Sequence, residues 1–194
     1  NRSYSTTTLT SYLNSKNETQ NLLALTFDDG YASIFEHALP ILREYNVPAS
    51  VFINPGFVGQ YNTWDVNLGG IRCRHLAWKQ LELLHREGWE IGLHGLSHKD
   101  LTCLSPPQLE EEIVLAQRLI VDKLGVCSKV ISYPFGNVNS MVYDTAKRCG
   151  FTAGIVMSGG PNSVPAEYRI RRCGIYLGDR QMLVFFKVKY KNNF

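Results

Sequence analysis

The sequence lacks a long hydrophobic run. No apolar stretch approaches the roughly 18 residues that a membrane-spanning helix needs, although 44% of the 194 residues are hydrophobic. We therefore expect no transmembrane segment in this sequence. No signal-peptide pattern is visible either, but the sequence begins with Asn rather than Met, and a removed leader or anchor would leave no trace. The cellular compartment therefore stays open.

The sequence also lacks a strong charge of one sign. Lys and Arg number 20 against 17 Asp and Glu, for a net charge of +3. No long basic run with interleaved aromatic residues occurs, so we expect no nucleic-acid partner. The most basic segment, KVKYKNNF at the C-terminus, is interpreted as a solvated end.

Closely paired cysteines are absent as well. The five cysteines are widely spaced and form no Cys-x-x-Cys pair, which argues against a structural zinc site built on thiolates. An odd number leaves at least one thiol free in each chain. In a chain of this size we expect reduced, buried cysteines.

Strand and helix patterns alternate along the sequence. Apolar runs typical of buried strands extend from Leu22 to Phe27 and from Pro48 to Asn54, and shorter ones follow as WEIGL, VISYP, FTAGIVMS and RIRRCGI. Amphipathic helix patterns separate them, which predicts an α/β fold with parallel strands. About six such units occur, fewer than the eight of a full (β/α) barrel. An incomplete, distorted barrel and a doubly wound open sheet both fit this count.

One helix carries clear boundary signals. Ser105 is the predicted N-cap, Pro106 takes the first helical position, and Gln108 completes a capping box. Gly125 is expected to end this helix. In an earlier helix, Pro40 predicts a kink.

Chemically reactive side chains follow several predicted strands. Asp28 and Asp29 come directly after the first strand, and His94 and His98 follow the WEIGL strand. Because carboxyl ends of parallel strands meet at one rim, we expect these side chains to converge. One aspartate and two neutral imidazoles suit Zn²⁺ or a similar ion, with Asp29 as ligand and Asp28 as a neighbouring base. Separately, paired aspartates are also common in turns, and a His-x-x-x-His pair also occurs on solvated faces.

Three motifs together resemble a known family. TFDDG at 26–30, HGLSH at 94–98 and YPFG at 133–136 occur in the order found in the polysaccharide deacetylases, the NodB-type enzymes of carbohydrate esterase family 4. The resemblance extends roughly from Leu22 to Ile155. It implies a single NodB-type domain over residues 1–194, with a motif-bearing core at about 22–176.

The resemblance implies a metal-dependent hydrolase on a distorted, incomplete (β/α) barrel. Its substrate would be an acetylated carbohydrate polymer that loses N-acetyl or O-acetyl groups. Asp29, His94 and His98 would bind one divalent ion, with Zn²⁺ expected first and Co²⁺, Ni²⁺ or Fe²⁺ as alternatives. Asp28 would be the general base that deprotonates the water bound to this metal.

The third motif is expected to border the substrate. In the family's pattern, a backbone N–H near Phe135 would complete the oxyanion site, and Tyr133, Pro134 and Phe135 would line the sugar site. Tyr133 and Phe135 could equally belong to the core.

The sequence departs from the family pattern at several positions. Ser132 stands where many members have Arg, and Gly95 replaces the usual hydroxyl residue after the first histidine. The Leu-x-His motif that usually supplies the general acid is absent, and His75 is a possible substitute. A late arginine, Arg172 or alternatively Arg171, is similar to the branch acting on poly-N-acetylglucosamine, where it would orient the catalytic carboxylate.

Two other functions remain open at this point. The chain could hydrolyse a non-peptide C–N bond in a small molecule, or it could be a carbohydrate-binding domain with a degraded site. The family resemblance favours an exported, periplasmic or cell-surface location, and the oligomeric state stays open.

Overall fold

The fold is built on one parallel sheet. A computed structural model of the chain describes residues 4–15, 21–63, 72–157, 159–176 and 178–189. Seven strands pair side by side, each parallel to the next and in the order of the sequence. They are β1 (Ser5–Thr7), β2 (Leu22–Phe27), β3 (Ala49–Ile53), β4 (Glu90–Leu93), β5 (Val130–Ser132), β6 (Ala153–Val156) and β7 (Ile170–Arg171).

Helices connect most of these strands. They are α1 (Leu9–Asn14), α2 (Leu39–Glu44), α3 (Trp78–Arg86), α4 (Pro106–Glu110), α5 (Ala116–Leu124), α6 (Ser140–Arg148) and α7 (Gln181–Lys189). A π-helical turn, Ile34–Ala38, leads into α2, and a second one, Glu111–Leu115, joins α4 to α5. Short 3₁₀ turns at Pro55–Phe57, Leu101–Cys103, Pro134–Gly136 and Ala166–Tyr168 complete the connections.

The strand order decides between the two predicted architectures. In a doubly wound sheet the order reverses at a switch point, whereas here the strands follow one another from β1 to β7 without reversal. The sheet curls into a half-barrel surrounded by helices, which confirms the distorted, incomplete (β/α) barrel. Within the described ranges it has seven strands rather than about six, because β1 and α1 precede the first strand predicted from sequence.

Two hydrophobic cores lie on opposite faces of the sheet, because successive side chains of a strand alternate in direction. The inner core fills the half-barrel and contains Leu9, Phe52, Val130, Ala153 and Ile155. The outer core lies between strands and helices and includes Val51, Ile53, Ile91, Leu93, Leu81, Leu84, Ile113 and Ile120.

Helix α1 closes the half-barrel at the amino ends of its strands. Leu9 packs against Phe52 in the inner core, and its N–H donates to Ser50 Oγ at 2.9 Å. The Glu90 carboxylate accepts hydrogen bonds from Ser50 Oγ at 2.7 Å, from Thr10 N–H at 3.0 Å and from Thr10 Oγ1. This end of the half-barrel is therefore packed and its carboxylate is fully paired.

The predicted helix boundaries at 105–125 are found. Pro106 is the first residue of α4, and Gln108 Oε1 accepts from Ser105 N–H at 3.0 Å. Gly125 caps α5 with a left-handed φ of 69°. The π-helical turn between α4 and α5 was not predicted. Pro40 is the second residue of α2, which begins where the other π-helical turn, Ile34–Ala38, ends.

The expected burial of the cysteines is wrong. All five carry free thiols, and four of them are exposed: Cys73, Cys103, Cys127 and Cys173. They lie in connections between helices and strands, which occupy the surface. Within the described ranges, no helix is both long and apolar enough to cross a membrane. Residues 64–71 of the long loop and 190–194 of the basic C-terminal segment lie outside the described residues.

Candidate active site

Side chains from the carboxyl ends of five strands surround one cavity of about 180 Å³. Asp28 and Asp29 follow β2, His94 and His98 follow β4, and the remaining strands contribute Phe135, Met157 and Arg172. The structure thus brings together the aspartates and histidines that the sequence placed at separate strand ends.

The turn after β2 places the two aspartates under conformational constraint. Asp29 has a φ of +66° and Gly30 one of +64°, a region that non-glycine residues rarely occupy. A side chain at Gly30 would also approach Ile53 Cγ2 to 2.9 Å. His75 Nδ1 lies 2.8 Å from the Asp29 carbonyl oxygen and fixes the turn from the other side.

Three side chains form a candidate metal centre. Asp29 Oδ1 lies 3.4 Å from His94 Nε2 and 3.3 Å from His98 Nε2, and the three atoms lie within 4.8 Å of one another. Ligand atoms about 2.0–2.1 Å from a tetrahedral Zn²⁺ are separated by about 3.3–3.4 Å. The spacing of this carboxylate and these imidazoles therefore fits a divalent ion.

Hydrogen bonding around this triad supports the same interpretation. Asp29 Oδ1 is buried and makes no hydrogen bond of regular geometry with the described residues. His94 Nδ1 lies 2.6 Å from the Ser132 carbonyl oxygen, to which it donates. In the neutral ring this bond leaves the Nε2 lone pair on the side of Asp29, as a metal ligand requires.

His94 holds a proton more tightly than an ordinary histidine. Burial lowers the pKa of His94, but the carboxylates of Asp29 and Asp28 and the Ser132 carbonyl outweigh this effect, so the net pKa is raised. A metal ion at Nε2 would therefore compete with a proton for this nitrogen, and binding would weaken as the pH falls.

Asp28 is held by a bidentate ion pair. Arg172 donates from Nη1 to Oδ1 at 2.9 Å and from Nη2 to Oδ2 at 2.5 Å. The same guanidinium donates to Thr26 Oγ1 at 3.0 Å and to Ser132 Oγ at 3.1 Å, and it lies 5.6 Å from the Phe52 ring centroid. Arg171, the alternative in the sequence, is exposed.

This pairing keeps Asp28 ionised. Burial raises the pKa of Asp28, but hydrogen bonds from Arg172 and the positive charges of His94 and Arg172 lower it by more, so the net pKa lies below its usual value. Ser132, which stands in place of the family's arginine, also lowers the pKa of Asp28 through a side-chain hydrogen bond to its carboxylate, and its Oγ accepts a bond from Arg172.

The third motif divides between core and surface. Tyr133 is only 1% exposed, and its hydroxyl is buried without a hydrogen-bond partner among the described residues. Pro134 is also buried. Phe135 is 55% exposed with a φ of +60°, and its ring centroid lies 4.9 Å from that of His98. Tyr133 therefore belongs to the core and also lines the cavity, whereas Phe135 lies at the cavity mouth.

His75 does not take the position of a general acid. It is 2% exposed, packs beside Tyr31 and Phe57, and is not among the residues that line the cavity. Its contact with the Asp29 carbonyl gives it a structural role in the turn.

Two residues that sequence reasoning missed hold the histidine loop, residues 94–98. Asn54 Nδ2, just after β3, donates to the His94 carbonyl and, at 3.2 Å, to the Gly95 carbonyl. Glu112 accepts from Ser97 N–H at 2.9 Å. Gly95 has a φ of +73°, and a side chain there would lie 3.3 Å from Glu112 Oε2, which explains the glycine at this position.

Comparison with known proteins agrees with this fold. The pattern of the polysaccharide deacetylase family matches residues 15–154. The structure defines the class of protein: an incomplete parallel (β/α) barrel that carries an Asp-His-His cluster at the carboxyl ends of its strands. The chain belongs to the polysaccharide deacetylase family.

Curated relatives match most of this chain but only part of their own length. The YxkH protein of Bacillus subtilis, named for the same family, is 26% identical over 148 residues, which cover 76% of this chain and 49% of YxkH. The poly-β-1,6-N-acetyl-D-glucosamine N-deacetylase of Staphylococcus aureus is 27% identical over 139 residues, covering 67% of this chain and 46% of the enzyme. This chain thus spans about half the length of these relatives.

Solved structures share the fold. The Streptococcus pyogenes deacetylase PplD, solved with acetate, superposes with a TM-score of 0.78 at 20% identity, covering 94% of this chain and 78% of PplD. IcaB from Ammonifex degensii gives a TM-score of 0.66 at 21% identity, covering 81% and 69%. At these identities the likeness concerns the fold alone.

Proposed function

We propose that this protein is a metal-dependent hydrolase that removes N-acetyl groups from a carbohydrate polymer. The observation that carries the proposal is the buried Asp29 Oδ1 between two imidazole Nε2 atoms, beside an ionised Asp28. Family membership and the N-deacetylase activity for which the Staphylococcus aureus relative is named support the substrate class.

In this proposal Asp29, His94 and His98 hold one divalent ion, with Zn²⁺ favoured by the one carboxylate and two imidazoles. When bound, such an ion supplies Lewis acidity, which lowers the pKa of a water and polarises the acyl carbonyl. Asp28 accepts the proton of the attacking water, since Arg172 keeps its carboxylate ionised. A backbone N–H near Phe135 completes the oxyanion site and stabilises the negative oxygen.

The leaving amine also needs a proton. Among the described residues that line the cavity, the titratable side chains are Asp28, Asp29, His94, His98, Tyr133 and Arg172. Burial raises the pKa of the Tyr133 hydroxyl, which makes it a weaker acid than an ordinary tyrosine. The histidines and Asp29 are committed to the ion, and Arg172 is permanently charged. Asp28 therefore returns to the nitrogen the proton that it took from water. The C–N bond breaks to give the amine and acetic acid, and the proton of the acetic acid then passes to the amine, which leaves acetate and an ammonium group.

The test is acetate release from N-acetylglucosamine oligomers by chelated and by Zn²⁺-reloaded protein. Asp28→Asn is compared with Asp122→Asn, the same change at an exposed position of α5. We expect release that requires the metal, is lost in Asp28→Asn and is unchanged in Asp122→Asn. Reloaded protein that binds metal but releases no acetate would refute the substrate class, and equal activity in both variants would refute the role of Asp28.

A further inference from the structure

Glu112 is a buried carboxylate that the proposed chemistry does not use. It is 2% exposed and lies in the π-helical turn between α4 and α5. Its Oε2 accepts from Ser97 N–H at 2.9 Å, and its Oε1 accepts from the Ser97 hydroxyl. Lys99 Nζ lies 3.5 Å from Oε1 and is itself largely exposed. Both oxygens of this carboxylate are therefore directed at the histidine loop.

The position of Glu112 is costly without such partners. A buried carboxylate is destabilising unless it is hydrogen-bonded or paired, and an apolar side chain would carry no such penalty in a helix that faces the core. Ile113, the next residue, is fully buried in the outer core. The carboxylate is therefore explained by the loop that it holds rather than by helix packing.

The residue after Ser97 needs to be held. His98 has a φ of +57°, which is strained for a non-glycine residue and persists only where the surroundings enforce it. Glu112 binds both the N–H and the hydroxyl of the preceding residue, so it restrains the backbone that enters His98. Asn54 restrains the other end of the loop through the carbonyls of His94 and Gly95.

The helix itself is adapted at this point. A π-helical turn adds one residue to a helical turn, and such turns occur frequently at functional sites. Here the turn spans Glu111–Leu115 and so includes Glu112. On the loop side, Gly95 leaves room for the carboxylate, because a side chain there would lie 3.3 Å from Oε2.

We propose that Glu112 is a positioning residue of the metal centre: through Ser97 it fixes His98 and thereby sets the affinity of the site for its ion. This inference rests on the proposed metal site. Mutating a residue that orients a metal ligand without binding the metal itself typically lowers the affinity for the metal by about 10- to 100-fold.

The test measures Co²⁺ affinity by titration of the metal-free protein, followed by the visible absorption of the bound ion. We expect Glu112→Ala to bind Co²⁺ about 10- to 100-fold more weakly than the wild type, with an altered absorption band. Glu112→Gln should recover most of the affinity, since its amide can accept from Ser97 N–H and donate to the Ser97 hydroxyl.

Gln117→Ala is the matched control. Gln117 is 5% exposed in α5, and its amide donates to the Ser128 carbonyl at 2.9 Å and to Cys127 Sγ, away from the histidine loop. We expect this variant to lose stability but to keep the wild-type affinity and absorption band. Ser97→Ala, which removes one of the two hydrogen bonds, keeps the test informative if Glu112→Ala does not fold; we expect an intermediate affinity.

The outcomes separate the two proposals. Wild-type protein that binds no Co²⁺ would refute the metal site and this inference with it. Wild-type binding together with unchanged affinity and absorption in Glu112→Ala or Ser97→Ala would refute only the role of Glu112. Equal weakening in Gln117→Ala would also refute it, because general loosening of the helix would then explain the loss.

Discussion

Each end of the half-barrel holds a carboxylate between strands, but the hydrogen bonding of the two carboxylates differs. At the amino ends, Glu90 accepts hydrogen bonds from Thr10 and Ser50 and joins α1 to the sheet. At the carboxyl ends, Asp29 Oδ1 is buried and lacks a regular hydrogen bond among the described residues. A paired carboxylate stabilises the fold, whereas a buried oxygen without a donor marks a place for a ligand.

Arg172 connects this difference to reactivity. Asp28 and Asp29 are neighbours in sequence, yet Asp28 is neutralised by a guanidinium while Asp29 faces two imidazoles. The protein thus supplies a positive charge for Asp28, through Arg172, but supplies no such charge for Asp29. Variants at the two ends should accordingly separate activity from stability.

The largest expected effect is at the carboxyl ends. Asp28→Asn should reduce acetate release by about 10²- to 10⁴-fold, because it removes the general base while leaving the metal ligands in place. Steady-state rates and metal content, measured on the same sample, check this. A rate within a few-fold of the wild type would show that Asp28 is not the base.

The opposite end should respond only in stability. Leu9 is 5% exposed and packs in the inner core, so Leu9→Ala should lower the free energy of unfolding by about 2–4 kcal/mol. Below the unfolding transition, kcat/KM should equal that of the wild type. Urea unfolding and activity assays measure both quantities, and a loss of activity in fully folded protein would break the separation between the two ends.

Replacing the counter-charge of Asp28 should change the pH dependence. Arg172 helps to lower the pKa of Asp28, so Arg172→Met should raise it. Activity needs the carboxylate form of Asp28, so it is lost as the pH falls through the pKa of this group. The acid limb of the pH–rate profile should therefore move to higher pH in the variant. The maximal rate should also fall by about 10- to 100-fold. A pH–rate profile measures the limb. An unmoved limb with a lowered rate would contradict this role.

The smallest effect is expected in the outer core. Tyr133→Phe removes a buried hydroxyl that has no partner among the described residues, so the free energy of unfolding should be unchanged or raised by up to about 1 kcal/mol. Urea unfolding measures this, and activity should change less than twofold. A large loss of activity would show that this hydroxyl, whose residue lines the cavity, takes part in the reaction.

Much of the fold was accessible from sequence because its signals are local. Apolar runs bounded by helix caps predicted the strands from β2 onward and the helix that begins after Ser105. The strand β1 (Ser5–Thr7) was missed because it is short and polar, and it is defined by pairing with β2. The two π-helical turns were not predicted, because no local pattern in the sequence marks them.

The site was accessible only in part. Asp28, Asp29, His94 and His98 form compact motifs, so their convergence could be expected. The preference for Arg172 over Arg171 rested on the family resemblance alone, because strand register decides which one faces inward. The sequence also could not single out Glu112 among three consecutive glutamates, since the π-helical turn determines which of them is buried.

The most direct measurement is the thermal unfolding of metal-free protein with and without Zn²⁺, for the wild type and for Asp29→Asn. Zn²⁺ at about 100 times its dissociation constant should stabilise the wild type by about 2.7 kcal/mol, seen as a higher Tm. Asp29→Asn carries the same exposed cysteines and should lose this increase. An equal increase in both proteins, or none in the wild type, would contradict a metal centre at the carboxyl ends of the strands.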